Sequence, residues 1–132
     1  MDVPISKLAF FNSPSLSSSS SSPPQLLAVH KDGSISILSE KLEEMMTFRL
    51  SMPLEVKWSE VIHRLDSILI VMMTFAGNLK VMKIGRSNAE LTQVLSGHLD
   101  SDIVDMAVDS NGDNLFVAGM FIIFSFIFIF SL

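Results

Sequence analysis

The sequence predicts an all-β fold, and three observations predict it. About ten short runs of strand-compatible residues follow one another at close spacing, with polar segments between them. Several of these runs alternate with period two. The clearest is Ser34 to Leu38, where Ile35 and Ile37 share one face and Ser34 and Ser36 the other. The breaks are turn chemistry: Lys31-Asp32-Gly33, Ala76-Gly77-Asn78 and Asn111-Gly112 all supply residues that tolerate positive φ. A sandwich, a barrel or a propeller would each fit such a pattern.

Taken in order, Ile5 to Phe11 is apolar on both faces, as a strand inside a packed sheet would be. Residues 12–24 (NSPSLSSSSSSPP) are of low complexity and predict a flexible surface loop, an insertion that phosphorylation could charge. Leu26 to His30 and Ser34 to Leu38 form a hairpin about Asp32-Gly33. Met45 to Leu50 is read as a strand, ended by Met52-Pro53 because proline cannot donate to a ladder. Glu55 to Ser59 is a short strand with the single tryptophan, Trp58, and Val61 to Ser67 is read as a connection. Ile68 to Phe75 and Leu79 to Ile84 flank the turn at Gly77. A helix across both is excluded by that turn and by the β-branched content. Leu91 to Leu95, Ile103 to Val108 and Leu115 to Gly119 are the last strands, with Ser96-Gly97-His98 read as the end of one unit and the start of the next.

Composition bounds the function. The 132 residues suit one ordinary domain. Hydrophobic residues make up 48% and mean hydropathy is +0.47, an excess concentrated at the C-terminal end. The net charge is −5, and the nine Lys and Arg residues are scattered, which argues against direct nucleic-acid binding. There is no cysteine, so disulfides, thiolate metal sites and a Cys nucleophile are excluded. The N-terminus lacks the basic and apolar regions of a signal peptide, and no glycosylation acceptor is present. An intracellular protein of cytoplasm or nucleus is expected.

The sequence offers no catalytic, cofactor-binding or metal-binding residues, and no enzyme is expected. His30, His63 and His98 have no helical pair spacing that would make a local metal site. Asp109-Ser110-Asn111-Gly112-Asp113 has its glycine at the wrong position for a calcium loop and no closing glutamate. No nucleophile elbow, phosphate loop or dinucleotide fingerprint occurs. The pairs Met45-Met46 and Met72-Met73 are read as core filler, and Trp58 as packed between repeating units.

An internal repeat chooses among the all-β alternatives. Ile5 to Pro14 and Ile103 to Asp113 share an apolar strand followed by a polar turn. Each is followed by a second apolar strand, QLLAVH and LFVAG, and the middle unit gives ILIVMMTF and GNLKVMKI. With these residues the chain resembles WD40-type β-propeller repeats. Gly97-His98 is similar to the family's Gly-His pair, and Ser110-Asn111-Gly112 to its first turn. Asp32 to Ile37, and more loosely Gly77 to Val81, resemble its second turn and third strand. Leu38 and Ile84 stand where the family often has tryptophan, and no Trp-Asp dipeptide occurs.

The resemblance implies an all-β, WD40-like propeller fragment over residues 1–119, about two and a half degenerate blades. It implies a non-enzymatic scaffold that binds other proteins, with His98 hydrogen-bonded inside its own blade. So few blades leave faces and edges uncovered, so a truncated form or a subunit of a larger assembly is expected.

Residues 120–132 (MFIIFSFIFIFSL) form a hydrophobic tail without charge or turn residues, read as a non-native, aggregation-prone end. The alternative is a C-terminal transmembrane helix over residues 115–132, in a small membrane-anchored protein. That segment is marginal against the roughly 20 apolar residues a spanning helix needs. It would have to withdraw Leu115 to Gly119 from its strand.

Overall fold

A computed structural model describes residues 3–11, 23–86, 90–98, 103–108, 114–119 and 123–127, the side chains of residues 103 and 123–127 excepted. The described residues form strands and no helix. Sheet 1 comprises β1 (Ile5–Phe10), β2 (Leu26–His30), β3 (Ile35–Leu38) and β4 (Glu44–Phe48), in that spatial order. Sheet 2 comprises β5 (Val56–His63), β6 (Ser67–Thr74), β7 (Asn78–Gly85) and β8 (Leu91–His98), again in chain order. Sheet 3 comprises β9 (Ile103–Val108), β10 (Asn114–Gly119) and β11 (Ile123–Ile127). Every pairing is antiparallel. Each sheet is thus an up-and-down meander, the unit that propellers repeat radially.

The sheets stack face to face, and the middle sheet is buried on both sides. One core joins Leu27, Val29, Ile35 and Ile37 of sheet 1 to Ile68, Ile70, Met72, Met82 and Ile84 of sheet 2. The other joins Leu69, Val71, Met73, Leu79 and Val81 of sheet 2 to Leu115 and Val117 of sheet 3. Successive residues of a strand point to opposite faces, so β6 contributes its even positions to the first core and its odd positions to the second. All of β6 is buried. This is why Ile68 to Phe75 shows no alternation: a strand with no wet face has no polar positions to alternate with. Each fully buried aliphatic side chain contributes about 1.5–3 kcal/mol.

Close approaches between sheets run through their first strands, β1 to β5 and β5 to β9. That places the first strand of each sheet on the inner side of the stack. Ser6 Oγ lies 2.6 Å from Ser59 Oγ, and Lys7 Nζ lies 3.2 Å from Glu60 Oε1, so both ties span β1 and β5.

The turns between second and third strands are built alike in sheets 1 and 2. Gly33 has φ +89° and its N–H donates to the His30 carbonyl at 2.9 Å; Gly77 has φ +88° and donates to the Thr74 carbonyl at 3.1 Å. The Asp32 carboxylate accepts from the Ser34 N–H at 2.9 Å and from its hydroxyl at 2.6 Å. A Cβ on Gly33 would stand 2.8 Å from Leu50 Cδ1, and its φ is strained for any L side chain. Gly33→Ala is expected to cost about 1–3 kcal/mol, read as a lower urea midpoint with an unchanged slope.

Several expectations need correction. Val61 to Ser67 is not wholly a connection: β5 continues through His63, and Ile62 is buried in the second core. Ser96-Gly97-His98 continues β8, paired to Lys80, Leu79 and Asn78. Met72 and Met73 are core residues, one in each core, but Met45 and Met46 lie 56% and 42% exposed on the outer strand of sheet 1. Residues 12–22, and the turn expected over residues 109–113, lie outside the described residues.

The alternative of a helix over residues 115–132 is not met. Leu115 to Gly119 lie in β10, whose register places Leu115 opposite Val108. Within the apolar tail Ile123–Ile127 is a strand, β11, paired with β10 from Asn114↔Ile127 to Ala118↔Ile123. Phe/Ile-rich sequence is strand-prone, and the neighbouring edge of β10 offers unpaired backbone groups to satisfy it. Among the described residues no helix is long and apolar enough to cross a membrane.

Candidate functional site: the cleft between the inner strands

The inner strands meet around a cleft of about 310 Å³. β1 supplies Ser6 and Lys7, the turn after β2 supplies Lys31, β5 supplies Lys57, Trp58, Ser59 and Glu60, and β9 supplies Asp105 and Met106. The charges are not all committed. Glu60 pairs with Lys7, and Asp105 Oδ1 accepts the Met106 N–H at 2.8 Å. Lys57 Nζ lies 5.8 Å from the centre of the Phe75 ring. Among the described residues, neither Lys31 nor Lys57 has a carboxylate partner. Trp58 is half-buried and packs on the second core, as its expected place between units requires, while also forming part of the wall. The cleft therefore offers ammonium groups beside an indole on a rigid frame.

A second cleft, about 300 Å³, lies at the outer edge of sheet 1 between Pro24, Gln25, Ser39, Lys41, Glu43 and Met45. Unlike the inner cleft, it draws on one sheet alone.

The three histidines do not converge. His30 is tied through Nδ1 to the Val3 carbonyl at 3.2 Å and through Nε2 to Ser36 Oγ at 3.0 Å. His98 Nδ1 lies 3.0 Å from Asn78 Oδ1 in the adjacent strand of its own sheet, the structural role the resemblance implies. His63 lies beside Arg86, with Nη2 3.4 Å from Nδ1. Among the described residues no three His, Asp or Glu side chains group to hold a metal ion.

Arg86 is the main polar tie between the ends of sheets 1 and 2. Its Nη1 donates to the Phe11 carbonyl at 2.8 Å and its Nε to the Arg64 carbonyl at 2.9 Å. Burial lowers the Arg86 pKa, partly offset by Asp66, but an arginine stays charged. Burial, and then the Arg86 charge, hold His63 below its ordinary value. Between the ordinary value near 6.5 and the lower folded value, the unfolded chain binds a proton that the folded chain refuses. Stability from this group is present above that window and is lost as pH falls through it. Unfolding midpoints should drop on acidification through this range, and His63→Gln should flatten that slope. Asp32 behaves as a carboxylate of the opposite setting. Burial works to raise it, but the bonds from Ser34 and the nearby His30 outweigh burial and leave it below its ordinary value.

Successive antiparallel meanders, two of four strands and one of three among the described residues, stacked face to face with their first strands innermost, define a β-propeller-type array of blades. No family model matches the chain, and no curated protein matches it. Among solved structures it is similar to the WD40 domain of SCAP from fission yeast, at 14% identity and a TM-score of 0.49. That alignment covers 99% of this chain and 33% of that one, so the chain spans about a third of that chain's length.

None of the cleft was legible as a motif. Its residues come from four elements and share no spacing. The one available signal was the cluster of Lys31, Lys57 and Trp58 at the ends of predicted strands.

Proposed function

We propose that the chain is a non-catalytic protein–protein interaction scaffold of WD40-repeat type, one part of a larger assembly, and that the inner cleft receives an acidic segment of a partner protein. The observation that carries this reading is the pair Lys31 and Lys57, which have no carboxylate partner among the described residues, beside Trp58 on strands fixed by two packed cores. Loops and strand ends on a rigid frame suit recognition, because little ordering entropy is lost on binding. Lysine ammonium groups attract carboxylates, and the indole supplies apolar area with one polar edge.

The test is titration of the full chain with a glutamate-rich peptide by isothermal calorimetry. Binding is expected to weaken about tenfold in the Lys31→Glu/Lys57→Glu variant. It should also weaken as salt rises, because exposed charges are screened. Lys41→Glu, at the outer cleft, should bind like the parent chain. Absence of binding to the parent, or equal loss in the Lys41 variant, would refute the assignment of the cleft.

A further inference from the structure

Sheets 1 and 2 each end in an outermost strand, β4 and β8, and the two edges differ. Among the described residues β4 pairs with β3 alone and β8 with β7 alone. An unpaired edge is a row of open N–H and C=O groups, which sheets ordinarily blunt with charged or polar residues. β8 is blunted in this way, exposing Thr92, Gln93, Ser96 and His98. β4 exposes Met45 and Met46 instead and carries no charge from Met45 to Phe48. From Met46 to Phe48 its register against Ile37, Ser36 and Ile35 is regular, so this stretch is extended backbone on which a further strand can be laid. Met46 and Phe48 share the face of Ile37 and Ile35, at the rim of the core between sheets 1 and 2.

The register shifts between Ile37 and Leu38, opposite Met45. The outer cleft of about 300 Å³ lies at this point. Met45, Pro23 and Pro24 give it apolar surface, and Glu40 and Glu43 give it two carboxylates against the one ammonium of Lys41. Gln25 Nε2 donates to Met45 Sδ at 3.4 Å and holds the thioether in the wall. Among the described residues Glu40, Glu43 and Glu44 have no basic partner, and Arg49, exposed just past β4, has no acidic one. Charge therefore runs from acidic to basic along the edge.

We infer that β4 is the docking edge for an extended segment of a partner protein, added antiparallel as a further strand of sheet 1. That segment carries apolar residues at alternate positions and basic residues at its C-terminal end. Antiparallel addition continues the pattern of every pairing in the sheet and brings the segment's C-terminal end to the start of β4. There an arginine or lysine lays its apolar stem on Met45 and Pro24 and reaches Glu40 and Glu43 with its charged head. Main-chain bonds along Met46 to Phe48 supply affinity, and the flexible, polarizable methionines adapt to the incoming side chains. This goes beyond the acidic-segment reading and does not rest on the inner cleft. It uses another edge of the molecule and a segment of opposite charge, so either reading can fail without the other.

The test uses the full chain and a capped peptide that alternates valine with threonine and ends in two arginines. A second peptide of the same composition begins with the two arginines. Fluorescence anisotropy of the labelled peptides gives affinity, and hydrogen exchange read by mass spectrometry gives the place of binding. The first peptide is expected to bind and to slow exchange over residues 44–49, with residues 91–98 of β8 unchanged. The second peptide should bind about tenfold more weakly, and so should the first peptide to the Glu43→Lys/Met46→Lys variant. No binding, equal binding of the two peptides, or protection that spares β4 would overturn the proposal. So would protection of every β4 amide in the peptide-free chain. Its loss on dilution would assign the edge to a second copy, and its persistence to another part of the same chain. The comparison of the two peptides is made on the parent chain and does not require the variant to fold.

Discussion

Replacing Leu69 or Ile70 by alanine is expected to lower the unfolding free energy by about 2–5 kcal/mol in each case. The two residues are neighbours on β6 and point to opposite sides, Leu69 into the core with sheet 3 and Ile70 into the core with sheet 1. Both are fully buried. Truncation removes the transfer free energy of the lost methyl groups and leaves a cavity between sheets that cannot fully collapse. The informative feature is that both costs are large. In a sheet with one wet face, one of two successive residues would be exposed, and its truncation would fall within about 0.5 kcal/mol. Urea unfolding of the two variants measures this, and a near-neutral Ile70→Ala would remove sheet 1 from its place against sheet 2.

Arg86→Ala is expected to be the largest polar effect, about 1.5–3 kcal/mol for the loss of charge-assisted hydrogen bonds. Arg86 reaches three elements: the end of β1 through the Phe11 carbonyl, the corner after β5 through the Arg64 carbonyl, and His63. The two carbonyls are bound by separate nitrogens of a rigid, planar guanidinium, a span that a compact ammonium does not match, so Arg86→Lys should recover part of the loss and not all of it. The alanine variant also removes one of the two causes that lower the His63 pKa, so the acid-side slope of stability should become shallower. Thermal midpoints over a pH series read both effects. An unchanged midpoint in Arg86→Ala would mean that the two sheets are held by their apolar core alone.

The fold was legible in this sequence to the extent that its physics is local. The turns at Gly33 and Gly77 depend on a few adjacent residues, and the alternation of Ile35 and Ile37 depends on one hairpin, so both read directly. The long apolar run at β6 was legible as a strand but not as a strand buried on both faces, since that requires sheets from distant parts of the chain. Val61 to His63 was misread as part of a polar connection because His63, Arg64, Asp66 and Ser67 dominate the stretch to Ser67, yet Ile62 answers to sheet 3 and not to its neighbours. Met45 and Met46 were misplaced for the converse reason: an apolar pair on an outermost strand has no further strand to cover it. The strand in the tail carries no turn signal before it, and its pairing follows from the open edge of β10. The cleft was hidden for the same reason as the cores. Lys31, Lys57 and Asp105 become neighbours only when three sheets converge on their first strands.

Thiol labelling of Met72→Cys and Met73→Cys tests the stacking of the three sheets most directly. The parent chain has no cysteine, so each variant reports a single position. Phe75→Cys, at a position 65% exposed, supplies the reference rate. Met72 lies in the core with sheet 1 and Met73 in the core with sheet 3, so both introduced thiols should label far more slowly than the reference and release only on unfolding. Fast labelling of either one under native conditions would mean that β6 has a wet face, and would contradict the stacked-blade architecture.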